Sequence, residues 1–174
     1  VGAGVEWMGD SEPTYIHIFA VDASSAAAPI KTFRADAFMS MHHINAWEET
    51  SADGAPLLIF DCIAYEDGAI MTDTQSFGNL KCMHDPNCTA AYTGSNSVRR
   101  YTLDMSEEKG VPISTKVSAQ KFKLVSPDLG EMLSEMPKIN DEYFARKNCF
   151  IYFGANTPKN SATNTNYYLV KTNT

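Results

Sequence analysis

No apolar run in this sequence approaches the roughly 20 residues that a membrane-spanning helix needs. The run at 57–60, Leu-Leu-Ile-Phe, is cut by Asp61. Positive charge is scarce: 14 Lys and Arg stand against 21 Asp and Glu, a net charge of −7. Phosphate backbones are bound by clustered cations, so no nucleic-acid partner is expected. Helix-start signals are few, and no residue pattern repeats along the chain. The first residue is Val rather than Met, and no leader-like stretch comes after it. Both ends are therefore expected to be processing products or cuts inside a longer protein. What remains is ordinary globular composition over 174 residues, 44% hydrophobic, 20% charged and 11% aromatic. That excludes a disordered or collagen-like chain and fits one domain.

The chain has only four cysteines. Cys62 and Cys149 lie in apolar runs (IFDCIAY and NCFIYF) and read as small buried hydrophobes. Cys82 and Cys88 flank the loop KCMHDPNCT. His84 and Asp85 lie between them, but the spacing matches no standard zinc pattern, which favours a local disulfide over a metal clip. Asn87-Cys88-Thr89 also satisfies the glycosylation pattern at Asn87. Together these lean toward an oxidising, secreted setting.

Strand-like runs dominate. They fall at 15–21, 37–44, 57–65, 98–105, 116–125, 149–153 and 167–170. The run 57–65 is apolar on both faces and reads as buried on both. Turn chemistry separates the runs at Asp53-Gly54, Asp67-Gly68, Gly94-Ser95-Asn96, Lys109-Gly110 and Pro158. Two short helices are predicted. One starts at Ser126-Pro127-Asp128, with Leu129, Met132 and Leu133 at helical spacing, and the other covers 72–80. This strand density predicts an all-β sandwich, barrel or propeller.

The most specific segment is Phe38-Met-Ser-Met-His42-His43-Ile44-Asn45-Ala46-Trp47-Glu48. Adjacent residues on a strand point to opposite faces, so one regular strand cannot turn both histidines to one metal. Taken alone, the pair reads as an interior histidine beside a surface one.

Further stretches come in order: Leu57 to Asp61, then Val98-Arg99-Arg100-Tyr101-Thr102-Leu103, then Ser134-Glu135-Met136-Pro137-Lys138-Ile139-Asn140 with Tyr143 and Arg146-Lys147. The run Asn166-Tyr-Tyr-Leu-Val-Lys171 closes the series. In this order the motifs resemble the carotenoid cleavage oxygenase family across almost the whole chain. The resemblance implies a seven-bladed β-propeller with a non-haem Fe(II) on its axis, held by four histidines from four blades. It implies oxidative cleavage of one double bond of a carotenoid or retinoid, or isomerisation in one branch. Carried over by residue, the resemblance implies that His42 is an iron ligand, His43 its non-ligand neighbour on the other strand face, and Glu135 the acceptor of the His42 ring N–H.

The chain departs from the family pattern in places. Met39, Met41, Ser134 and Met136 replace aromatic residues, and Phe144-Ala145-Arg146 replaces an Arg-x-Gly. Three of the four ligand histidines have no match, and neither His17 nor His84 fills a family ligand position. Residues 1–174 therefore read as one partial propeller domain, about the middle third of a family member. Other chains or missing segments would supply the remaining blades and histidines. Two functions are open: an iron-dependent carotenoid oxygenase assembled from pieces, or a carotenoid-binding pigment or carrier without turnover. The methionines, the Cys82–Cys88 disulfide and Asn87 favour the second, and His42 with Glu135 favours the first.

Overall fold

The computed structural model describes residues 7–21, 28–68, 96–122, 125–126, 130–131, 133–156 and 168–173. The strands in order are β1 (Thr14–Ile18), β2 (Lys31–Ala35), β3 (Met39–Thr50), β4 (Pro56–Tyr65), β5 (Asn96–Asp104) and β6 (Val117–Phe122). Then come β7 (Val125–Ser126), β8 (Gly130–Glu131), β9 (Leu133–Lys138), β10 (Phe150–Asn156) and β11 (Tyr168–Asn173). Among the described residues, helix is limited to two 3-10 turns, Gly9–Ser11 and Asp141–Tyr143. The protein is all-β, and every strand pairing within its sheets is antiparallel.

A four-stranded sheet ordered β3-β4-β5-β6 lies at the centre. The β1–β2 hairpin packs on one face and the sheet β11-β10-β9 on the other. β4 explains this stacking. Ile63 and Tyr65 join Val98 from β5, and meet Ile139, Ile151, Phe153 and Ala155 across the gap. Cys62 and Ala64, on the opposite face, join Tyr101 and meet Ile16, Ala35 and Phe38. The stacked rings Phe38, Tyr101 and Phe60, with centroids 5.0 and 4.9 Å apart, fill that second seam. The double-sided burial expected of 57–65 is what the structure contains.

The β3–β4 connection is dictated by its residues. Gly54 takes φ 88°, a left-handed conformation that suits glycine. The Ser51 hydroxyl accepts from the Ala55 N–H at 2.8 Å and closes the turn.

Inside the sheet a charged pair faces itself across β4 and β5. Asp61 and Arg100 are in register. Their two hydrogen bonds, 2.9 and 2.8 Å, have the parallel fork geometry that guanidinium and carboxylate favour. The carboxylate is fully buried, and the guanidinium lies over Trp47 at 4.9 Å.

Two expectations are corrected, and others fall outside the described residues. The described residues from Ser126 to Lys138 are not helical: β7 pairs antiparallel with β8 there, with β9 next in the chain. Three apolar residues at helical spacing are a weak local preference, and Gly130 and Pro137 weaken it further. Strand pairing with β10 overrides it. Cys149 is exposed rather than buried. It sits at the bend before β10, where Asn148 takes the inward position and Ile151 begins the buried alternation. Cys62 is buried as expected. The helix at 72–80, the Cys82–Cys88 pair, His84 and Asn87 lie outside the described residues.

Two outcomes are expected. Asp61→Ala leaves a half-buried guanidinium without its carboxylate and should cost about 3–5 kcal/mol in chemical denaturation. Burial pushes the Cys62 thiol up to about 11, so below that pH it stays protonated and unreactive. At pH 8, alkylation read by mass spectrometry should label Cys149 in the native protein and Cys62 only after unfolding.

Candidate metal centre

The central strand β3 is not regular where it carries the histidines. Its register with β4 shifts between Ser40 and His42, and again between His43 and Asn45. Met41 and Ile44 are thus extra residues, each forming a bulge that bends the strand and re-aims the side chains beyond it. His42 is paired with Ile63 and His43 with Cys62, so the two rings point to opposite faces. Asn45 is paired with Asp61, on the same face as His42. Without the second bulge, residues three apart on a strand would face opposite ways.

His42 meets Glu135 of β9, 93 positions later, with Nδ1 2.5 Å from Oε2. A carboxylate only accepts, so Nδ1 carries the proton and donates it. In the neutral ring, the other nitrogen, Nε2, then keeps its lone pair. The two side chains are 40% and 27% exposed, so the pair sits at an open margin of the seam rather than inside it. The Tyr65 hydroxyl donates to Oε1 of the same carboxylate. The Met136 N–H also reaches Oε2, at 3.3 Å.

Asn96 and the bulge in β9 bring Glu135 there. Asn96 opens β5 and treats Ser134 as a strand partner. Its Nδ2 donates to the Ser134 carbonyl at 2.8 Å and its Oδ1 accepts from the Ser134 N–H at 3.0 Å. Beyond Glu135 the strand bulges: Gly154 pairs with Glu135 and Tyr152 with Lys138, leaving Met136 and Pro137 opposite Phe153. Met136 adopts φ 54° there, and Pro137, which has no N–H to offer a ladder, is tolerated at such a bulge.

Asn45 organises the loop after β9. Its Nδ2 lies 3.1 Å from the Tyr143 carbonyl, 2.8 Å from that of Arg146 and 2.8 Å from Asn148 Oδ1. Its Oδ1 accepts from the Ala145 N–H at 3.1 Å. Two of the sequence motifs, about 100 positions apart, thus meet through one amide.

The other described histidines are elsewhere. His43 is exposed, with its ring 6.4 Å from Phe60, and lines an apolar cleft of about 650 Å³ with Ile16, Phe38, Leu58 and Phe144. His17 is exposed on β1 and pairs with Thr32, Nδ1 to Oγ1 3.0 Å. Among the described residues no three His, Cys, Asp or Glu side chains form a metal-sized group. The residues that sequence reasoning misses are Tyr65, Asn96 and Asn45. Asn45 stands inside the quoted motif, and Tyr65 is a polar-tipped aromatic ending a buried strand. Asn96 looks like an ordinary turn residue.

A sequence profile described as retinal pigment epithelial membrane protein matches residues 2–174. Human β,β-carotene 15,15′-dioxygenase is 27% identical over 154 residues, which cover 81% of this chain and 26% of that protein. The crystal structure of cobalt-substituted ACO from Synechocystis is similar, with a TM-score of 0.55 at 19% identity. The match covers 94% of this chain and 28% of that one, and at such identity it speaks to the fold alone. The antiparallel sheets here are those of a β-propeller.

Asn45→Ala removes several part-buried hydrogen bonds to the loop at once, each contributing about 0.5–1.5 kcal/mol. The variant should lose about 2–4 kcal/mol of stability. Amide exchange at Ala145 should accelerate, which hydrogen-exchange mass spectrometry can read.

Proposed function

Because the chain belongs to the retinal pigment epithelial membrane protein family, that of the carotenoid cleavage oxygenases, we propose that it forms part of a seven-bladed propeller enzyme. That enzyme uses non-haem Fe(II) to cleave a double bond of a carotenoid or apocarotenoid oxidatively. Residues 1–174 are one partial domain of it. The chain spans 26% and 28% of the lengths of the two relatives. The remaining blades and three further histidines come from outside these residues. The sheet sizes support this: among the described residues a four-stranded sheet is flanked by one of two strands and one of three. The outer edges of β1 and β11 are therefore positions where more strands can join.

The observation that carries the reading is the His42–Glu135 pair. A metal takes an imidazole through one nitrogen, and the other N–H then needs a fixed acceptor. Glu135 provides that acceptor at Nδ1, so in the neutral ring Nε2 is the nitrogen without a proton. A neutral imidazole set suits divalent iron, which, when bound, activates dioxygen beside the polyene. Met136, 72% exposed next to Glu135, offers a polarisable apolar surface to an extended hydrocarbon. Met39 and Met41 instead pack half-buried against the Ile63 cluster, where they shape the seam.

The test is His42→Ala in the assembled protein, with iron measured by elemental analysis and cleavage by product chromatography. Both should be lost. Iron or turnover retained by the variant removes His42 from the ligand set. Native material that carries stoichiometric intact carotenoid and no iron replaces the oxygenase reading with that of a carotenoid-binding pigment or carrier.

A further inference from the structure

The Tyr65 hydroxyl is on the carboxylate that orients His42. We infer that Tyr65 is a positioning residue of the metal centre: it locks Glu135 in the orientation that keeps the proton on His42 Nδ1. This rests on the metal-centre reading above and adds a residue to it.

A carboxylate has two equivalent oxygens and rotates easily about its last bond. Left with one oxygen free, it can turn away from the imidazole or swing toward the cation and bind it directly. In this site neither oxygen is free. Oε2 accepts from His42 and from the Met136 N–H, and Oε1 accepts from Tyr65. A donor can hold a partner still only if it is itself still. Tyr65 is 1% exposed, with its ring packed among Ile63, Val98, Ile151 and Phe153.

The tyrosine also acts with its neighbour across the sheet. Tyr65 and Asn96 are directly opposed on β4 and β5. Asn96 grips the main chain of Ser134 while Tyr65 grips the side chain of the next residue. One cross-strand pair thus fixes both the path of β9 and the direction of its carboxylate. The competing explanation is that a buried tyrosine takes any acceptor within reach and simply fills the core. The two differ in whether the effect of Tyr65 passes through Glu135.

A double-mutant cycle separates them. Co(II) serves as the probe in the assembled protein, read by equilibrium dialysis and by its visible absorption bands, which report ligand geometry. Tyr65→Phe and Tyr65→Met both lack the donor and differ in shape. Each should weaken Co(II) retention by about tenfold, the low end for partners that orient metal ligands. Each should also alter the bands. In a Glu135→Ala background neither substitution should weaken retention further. Unchanged affinity and bands in both variants would overturn the proposal, and so would an equally large loss when Glu135 is absent. If the unsubstituted protein takes up no Co(II), the metal-centre reading falls and this proposal with it.

Discussion

A strand buried on both faces needs an apolar sheet on each side, and β4 imposes that condition on the whole structure. From Ile59 to Tyr65 it presents no exposed position, apart from the half-buried Phe60. Its two rows of side chains are therefore filled from opposite directions, by β9 and β10 on one side and by β1 and β2 on the other. Stacking of sheets face to face is the geometry that results, and a propeller is that geometry repeated around an axis. The site inherits its position from this arrangement. His42 and Glu135 belong to different sheets and meet only because the seam between those sheets is closed.

The seam is not held by hydrophobic contact alone. Apolar packing is indifferent to small slides, whereas a hydrogen bond is not. Asn96 and Asn45 each bind main-chain groups of a neighbouring segment. A buried amide used in this way sets the register between sheets to within a hydrogen bond's tolerance. Asp61 and Arg100 do the same within a sheet, with the guanidinium sandwiched against Trp47 and Phe122. Polar groups in the core thus specify positions that the apolar groups merely permit.

Much of this is legible in the sequence. The strands at 57–65 and 98–105 are readable because apolar residues and turn signals mark their ends. The opposed directions of His42 and His43 come from strand geometry, and the association of His42 with Glu135 comes from the ordered motifs. The strand β2 escapes sequence reading because Lys-Thr-Phe-Arg-Ala carries a single large apolar residue. The strand β9 escapes it because its identity depends on β10 and Asn96, partners far along the chain. Cys149 departs from expectation because an apolar run need not be uniformly buried, and here the chain turns at the start of the run. The bulges in β3 leave no trace in composition, because an extra residue in a strand is defined only by the partner it fails to pair with.

Those bulges also settle a degeneracy. His42 and His43 are chemically identical, so nothing in their side chains decides which one reaches β9. The backbone decides. With Met41 looped out, His42 stands opposite Ile63. Were β3 to continue from Ser40 without the bulge, the pairing would move by one step and every later side chain would change face. His43 would then stand opposite Asp61, on the face that His42 now occupies. The doublet therefore presents an imidazole to that face in either phase of the strand. Strand phase alone determines which of two equivalent neighbours stands on the face of Glu135.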